Sequence, residues 1–263
     1  MTCAPAAGST FVKGITTVTC TATDLKGNQS SCTFIVTVTD SQAPSITCPA
    51  NIAKATDPNQ CAAAVSYATP AASDNCAGVG PVTCTPSNGS TFAKGITTVT
   101  CSSTDASGNV GSCAFTVTVN DAQAPTIVCP ANVTKATDPN QCAAVVSYAA
   151  PAVADNCPGV GAPLCSPLSG SSFPKGTTTV TCTVNDASNN QSSCSFTVTV
   201  NDTQLPAITC PANQMRTLAN PMDTTVIVTY PSPVYSDNCP GATVVCVPPS
   251  GSAFPPAPHP AVP

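Results

Sequence analysis

The stretch Cys113-Ala-Phe-Thr-Val-Thr-Val, residues 113–119, sets Cys113, Phe115, Val117 and Val119 on one side of an extended chain and Thr116 and Thr118 on the other. Such strict alternation belongs to a half-buried antiparallel strand, with one face on a core and one in water. The same spacing puts Val99 with Cys101, Val82 with Cys84, Ile46 with Cys48, and Cys61 with Val65 and Tyr67 on shared faces. The cysteines therefore sit on the apolar sides of strands. Between the strands stand Asp57-Pro58-Asn59, Ser73-Asp74-Asn75, Ser87-Asn88-Gly89 and Ser107-Gly108-Asn109, each a cluster of turn-forming residues.

Outward from this stretch the chain repeats itself. Cys48, Cys129 and Cys210 recur every 81 residues, and so do Cys20, Cys101 and Cys182, and Cys32, Cys113 and Cys194. Two whole units, residues 43–122 and 124–203, are flanked by two partial ones. Residues 1–42 match only the last half of a unit, and residues 206–263 match the first half and end in a proline-rich tail. Six or seven short strands in a unit of this length predict a small β-sandwich. A domain of that size buries only around 60% of its unfolded surface. Its Val-, Ala- and Thr-rich core is expected to need disulfides, each contributing roughly 2–4 kcal/mol.

Composition narrows the setting. Eighteen cysteines and 28 prolines in 263 residues, with 7% charged residues, predict an oxidising compartment, extracellular or at the cell surface. There is no Cys-x-x-Cys, and the single His259 lies in the tail, which argues against zinc or iron–sulfur. All twelve acidic residues are Asp, a turn former that is poor in helix interiors. A net charge of −5 with seven basic residues leaves no basic stripe for nucleic acid. No stretch approaches the roughly 20 apolar residues of a membrane span. The start, Met1-Thr-Cys-Ala-Pro, lacks the basic and apolar regions of a secretory signal, so the sequence reads as a mature form or a piece of a longer precursor. One histidine and no phosphate-cradling glycine loop give catalysis no support, and no enzyme is expected.

The ordered motifs Ile-Thr-Cys-Pro-Ala-Asn, Asp-Pro-Asn-Gln-Cys, Asp-Asn-Cys, Gly-Ser-Thr-Phe-x-Lys-Gly, Thr-Thr-Val-Thr-Cys and Cys-x-Phe-Thr-Val-Thr-Val together resemble the HYR (hyalin repeat) domain. The likeness covers nearly the whole chain and breaks after Phe254. It implies all-β, tandem immunoglobulin-like β-sandwich repeats in secreted or surface proteins, associated with adhesion and extracellular matrix, and it implies no catalysis.

Six cysteines per unit allow fifteen pairings, so spacing alone does not settle connectivity. In a sandwich of this kind the first and last strands start at the same pole, which points to Cys48–Cys113 and Cys129–Cys194. A likeness to the buried inter-sheet bridge of immunoglobulin domains points to Cys61–Cys101 and Cys142–Cys182. Cys76–Cys84 and Cys157–Cys165 then remain, with Cys239–Cys246 as their counterpart. Thr224 stands where the last half unit would carry its second cysteine.

On this pairing Cys32 and Cys210 lack partners and are candidates for an intermolecular bridge. The half units at the two ends are complementary, so the expected partner is a second copy, head-to-tail, in a fibre or matrix. The alternative is a stalk segment of a larger surface protein that binds other surface or matrix proteins. Against joining, residues 2–11 and 245–254 match the same part of the repeat. Asp positions also recur. Asp40, Asp74, Asn75, Asp105 and Asn109 at one joint, and Asp121, Asp155, Asn156, Asp186 and Asn190 at the next, are candidate calcium ligands, with ordinary turn chemistry as the competing account. Asn28, Asn88, Asn132, Asn190 and Asn201 begin Asn-x-Ser/Thr sequons in or beside turns and are candidate glycosylation sites.

Overall fold

The computed structural model describes residues 1–220 and 222–256. Among these residues the regular structure is entirely β, in short strands with two long ones in each complete repeat. No helix among them is long and apolar enough to cross a membrane. His259 and most of the proline-rich tail lie outside the described residues. The chain divides into two compact units, Met1–Gln123 with Asp155–Gly159, and Ala124–Ala154 with the residues from Val160 onward.

In the first unit, Gly95–Thr104 and Val110–Asn120 form the long hairpin, in the register Val99↔Phe115 and Cys101↔Cys113. Thr83–Thr85 adds antiparallel to one edge, and Ile52–Ala55 adds parallel to the other. A second layer is made of two short ladders, Ser45–Ile46 with Ala72–Ser73 and Ala62–Ala64 with Thr91–Ala93. Between the layers lie Ala63, Val65, Tyr67, Phe92, Val99, Cys101, Phe115, Val117 and Val119. The alternating face of residues 113–119 is thus the core face. Burying each of these larger side chains contributes roughly 1.5–3 kcal/mol. Tyr67 packs edge-on to Phe115 with centroids 5.0 Å apart, and its hydroxyl donates to the Pro86 carbonyl, so the phenol is buried without an orphaned polar group.

The hairpin turn shows why Asp recurs there. Asp105 Oδ1 accepts from the backbone N–H groups of Ser107 and Asn109 at 2.8 and 2.9 Å. Its Oδ2 accepts from Asn109 Nδ2 at 2.8 Å. Gly108 takes a φ of +89°, which a side chain would resist. At the opposite pole, Asp57 Oδ2 accepts from Ala64 N–H at 2.8 Å and Asp57 Oδ1 pairs with Lys54 at 2.9 Å. Asn59, at a φ of +59°, exchanges hydrogen bonds with the Gln123 side chain. The Asp-Pro-Asn-Gln motif is therefore a turn clasped to the end of its own repeat.

Met1–Gln123 also contains the first half repeat. It is one sheet only, Thr2–Ala4, Gly14–Thr23 and Gln29–Val38, equivalent to three strands of the four-stranded layer.

The second unit repeats the plan. Val133–Ala136, Gln191–Asn201, Gly176–Asn185 and Leu164–Ser166 make the four-stranded layer, and Thr126–Val128 with Ala152–Ala154 and Ala143–Val146 with Ser171–Pro174 make the short ladders. Its core is Ala144, Val146, Phe173, Val180, Cys182, Phe196, Val198 and Val200. The last half repeat contains only the short ladders, Ala207–Thr209 with Val234–Ser236 and Val226–Val228 with Ser252–Phe254. The two half repeats are thus complementary layers, one layer of the sandwich each.

Candidate repeat-joint site

Seven disulfides occur among the described residues, and Cys32, Cys76, Cys210 and Cys246 are free thiols. Cys48–Cys113 and Cys129–Cys194 are the pairs expected from sandwich topology. The other expected pairs are corrected. Cys101 bonds Cys84 and Cys182 bonds Cys165, in place of Cys61–Cys101 and Cys142–Cys182. The reason is ladder register. Cys84 stands directly opposite Cys101 on the neighbouring strand, and Cys165 opposite Cys182, with Cα atoms 4.0 Å apart, so each bridge lies within a layer instead of crossing between layers.

Cys76–Cys84, Cys157–Cys165 and Cys239–Cys246 are therefore also corrected, with Cys76 and Cys246 left free. Cys3–Cys20, which the sequence reading missed, is the same in-layer bridge in the first half repeat. The signal was available, because Cys3, Cys84, Cys165 and Cys246 keep the 81-residue period.

The remaining two bridges join one repeat to the next. In the first unit Cys61 bonds Cys157, and in the second Cys142 bonds Cys239. Both donors sit at the start of the second strand, at the pole where the Asp-Pro-Asn-Gln turn is clasped, and both acceptors sit in an Asp-Asn-Cys loop. The loop is shaped locally. Asp237 Oδ1 accepts from Cys239 N–H at 2.8 Å, and Asp155 Oδ2 accepts from Cys157 N–H at 3.2 Å. The intervening Asn reaches across. Asn156 Nδ2 donates to the Gln60 carbonyl and Asn238 Nδ2 to the Gln141 carbonyl, both at 2.9 Å.

The calcium candidates separate along these lines. Asp40 and Asp74 come together, with the Cys76 sulfur within 4.8 Å. The Asp40 side chain is only 2% exposed and pairs with Lys13 at 3.3 Å, while Ser107 Oγ donates to it at 3.1 Å. Burial raises the Asp40 pKa, but hydrogen bonds from Gln42 N–H, Ser107 and Lys13 outweigh it and hold the carboxyl below its ordinary value. Asp74 Oδ1 accepts from Cys76 N–H at 2.8 Å, and its Oδ2 is buried without a hydrogen-bond partner. Burial pushes the Cys76 thiol up, and its hydrogen bond to Asp40 adds to the shift.

Asn109 meets the Asp40 backbone carbonyl through its Nδ2, a donor and not a ligand oxygen, while Asp105 is committed to its own turn and Asn75 is exposed. Asp202 and Asp237 make the equivalent pair in the second unit, with Lys175 at 3.3 Å from Asp202. Asp121, Asp155 and Asn156 belong to the first unit, where Lys94 lies 3.4 Å from Asp121 and Asn156 Nδ2 donates to Asp121 at 3.4 Å. Asp186 and Asn190 belong to the second unit, where Asp186 accepts from the backbone and side chain of Asn190, both at 2.8 Å. Each end-of-repeat Asp is thus already paired with the lysine of the Lys-Gly motif, a ligand competitor that sequence reasoning missed.

The sequons also differ. Asn28 Nδ2 and Asn190 Nδ2, the atoms that would carry a glycan, donate to Asp24 and Asp186 at 2.8 Å. Asn88 and Asn132 are exposed and engage the backbone of Tyr67 and Thr197 through Oδ1. Asn201 is exposed at the end of its strand.

Residues 2–38, 39–119 and 120–200 each match the HYR domain family. The chain is 35% identical over 259 residues to hyalin of Strongylocentrotus purpuratus, which covers 95% of this chain and 22% of that protein. To hyalin of Lytechinus variegatus it is 33% identical over 248 residues, 90% of this chain and 47% of that protein. The chain thus spans about a fifth of the first relative and about half of the second. Among solved structures it is similar to Drosophila N-cadherin EC1-4 at 15% identity and a TM-score of 0.36, over 72% of this chain and 57% of that one. Similarity to protocadherin gammaB7 EC3-6 is at 16% identity and a TM-score of 0.36, over 87% and 69% of the two chains. Likeness at this level bears on neither residue roles nor partners.

Proposed function

This chain belongs to the HYR domain family, and on that premise we propose that it is an extracellular structural protein of an adhesive matrix or fibre, whose repeats are covalently coupled in series. The observation that carries the proposal is the pair of repeat-to-repeat bridges, Cys61–Cys157 and Cys142–Cys239. A catalytic protein has no need to fasten every domain to the next through a separate disulfide. A protein that transmits force between surfaces does, because a bridge carries tension past the peptide linker. The two hyalin relatives support an extracellular, adhesion-related setting. In this proposal the subunits associate head-to-tail through their complementary half repeats, and calcium is a candidate ligand at the carboxylate pairs Asp40–Asp74 and Asp202–Asp237, in competition with Lys13 and Lys175.

Electron microscopy of the purified, oxidised chain tests this reading. Filaments with a regular repeat support a self-associating subunit, and dispersed particles under oxidising conditions refute it. A second reading is favoured by the chain spanning only about a fifth of the first relative. There the same repeats form a segment of a longer adhesive protein, and particles stay dispersed while binding a matrix-coated surface.

A further inference from the structure

In the complete repeats two layers close on one core, whereas each half repeat presents a single layer with its inner face open. We infer that the open layer of the last half repeat, Ala207–Phe254, is the seat for the sheet formed by Gly14–Thr23 and Gln29–Val38 of a second copy of this chain. The inference rests on the head-to-tail association proposed above and specifies its contact.

The last half repeat holds a groove of about 850 Å³, lined by Cys210, Val226, Val228, Tyr230, Cys246 and Phe254 among others. By the repeat period, Val226, Val228, Tyr230 and Phe254 stand where Ala144, Val146, Tyr148 and Phe173 stand one repeat earlier. There the layer is covered by Val180, Phe196, Val198 and Val200. The residues equivalent to these covering side chains are Val18, Phe34, Val36 and Val38, in the first half repeat. Phe34 is 52% exposed, whereas Phe115 and Phe196 are 4% and 5% exposed. Tyr148 packs on Phe196 with centroids 4.9 Å apart, and Tyr230 and Phe34 are the two halves of that same pair.

Three further observations fit this occupant. Val133–Ala136 is a strand because it pairs in parallel with residues 198–201, and the equivalent residues 214–217 form no strand where that partner is missing. Their partner in the second copy is residues 36–39. Cys129 bonds Cys194, and the equivalent Cys210 and Cys32 are both free and exposed. Finally, the duplicated segments do not compete. Thr2–Ala4 is a strand in its sheet while residues 245–247 form none, and Ser252–Phe254 is a strand while residues 9–12 form none. Each duplicated position is filled by one half repeat alone.

Seating aligns Cys32 with Cys210 of the second copy. With oxidised glutathione as oxidant, Cys210 first forms a mixed disulfide and releases one glutathione thiol. The Cys32 thiolate then attacks the Cys210 sulfur and expels the second, so two protein thiols become one bridge and one glutathione disulfide becomes two thiols.

The test uses the full chain and its Cys32→Ser and Cys210→Ser variants, incubated with a glutathione redox buffer and analysed by non-reducing gel and peptide mapping. Wild type is expected to give a covalent ladder joined by Cys32–Cys210, and the two variants together a single dimer joined by the same pair. Phe34→Asp, which alters an exposed side chain, is expected to slow bridging about tenfold or more while the melting of the chain is unchanged. Ladders joined through Cys76 or Cys246 overturn this seat but leave head-to-tail association standing. A Cys32–Cys210 bridge within single chains overturns the second copy as occupant. Chains that stay monomeric by sedimentation and form no bridge overturn both.

Discussion

Asn238 Nδ2 donates to the Gln141 carbonyl oxygen at 2.9 Å, and the residues that follow these two, Cys239 and Cys142, are bonded to each other. Asn156 and Gln60 repeat the relationship beside Cys61–Cys157. A hydrogen bond one residue from a bridge orients the Asn-Cys loop before oxidation, so the cysteine meets its partner and not the nearer thiol in sequence.

Breaking this bridge is the direct test of the coupling. Cys142→Ser is expected to destabilise the last half repeat by roughly 2–5 kcal/mol, as loss of a native disulfide does in small domains. It leaves Cys239 reactive to maleimide, while Cys129–Cys194 and Cys165–Cys182 remain intact by peptide mapping. Asn238→Ala keeps the bridge and costs about 1 kcal/mol, read as a lower denaturant midpoint.

The Asp57 and Asp138 turns set an acid limit on stability. Backbone hydrogen bonds from Ala64 and Val145, and then the lysines Lys54 and Lys135, hold both carboxyls below their ordinary value. Because the folded pKa lies below the unfolded one, their contribution is fully present above about pH 4 and is lost as pH falls through the folded value. Tm is expected to be flat from neutral pH down to about pH 5 and to fall steeply below about pH 4. The Asp57→Asn, Asp138→Asn double variant is expected to start lower and to show a shallower fall.

Calcium at the paired carboxylates predicts a Tm that rises with calcium concentration in a chelator-treated sample. Asp74→Ala removes the buried, unpartnered oxygen and is expected to abolish that rise from the first unit while leaving the Asp202–Asp237 response. Lys13→Met removes the competing ammonium and is expected to enlarge it. Equal melting with and without calcium in all three proteins would sink the calcium proposal.

Glycan occupancy is expected to follow the side-chain hydrogen bonds. Expressed in a glycosylating secretory host, the chain is expected to carry glycans at Asn88, Asn132 and Asn201 and little at Asn28 and Asn190, whose Nδ2 atoms are engaged by Asp24 and Asp186. Glycopeptide mass spectrometry reads the five sites directly. Asp186→Ala is expected to raise occupancy at Asn190.

Much of the fold is legible in the residues because period and alternation are local properties. Phe115, Val117 and Val119 face the core as residues 113–119 predict. Disulfide partners are not legible in this way, since a bridge depends on which strands are neighbours. Cys84 and Cys101 are adjacent through ladder register, and a two-layer analogy put Cys101 with Cys61 instead. Cys61 faces the next repeat, a relation that no single repeat contains. Thr224 did carry the information. The last half repeat lacks the donor cysteine yet keeps Cys239, and Cys239 is bonded backwards to Cys142. The lysine partners of Asp40 and Asp202 were missed because Lys13 and Lys175 lie 27 residues from them in sequence, across a hairpin.

The Cys142–Cys239 bridge also changes what a protease can achieve. The peptide between the second repeat and the last half repeat runs through residues 202–206, with Cys142 on one side of it and Cys239 on the other. A single cut there frees two new termini but separates nothing, because the fragments stay tied through sulfur. Detachment requires both a cleavage and a reductant, so damage that would sever an ordinary string of domains is survivable until the surroundings turn reducing.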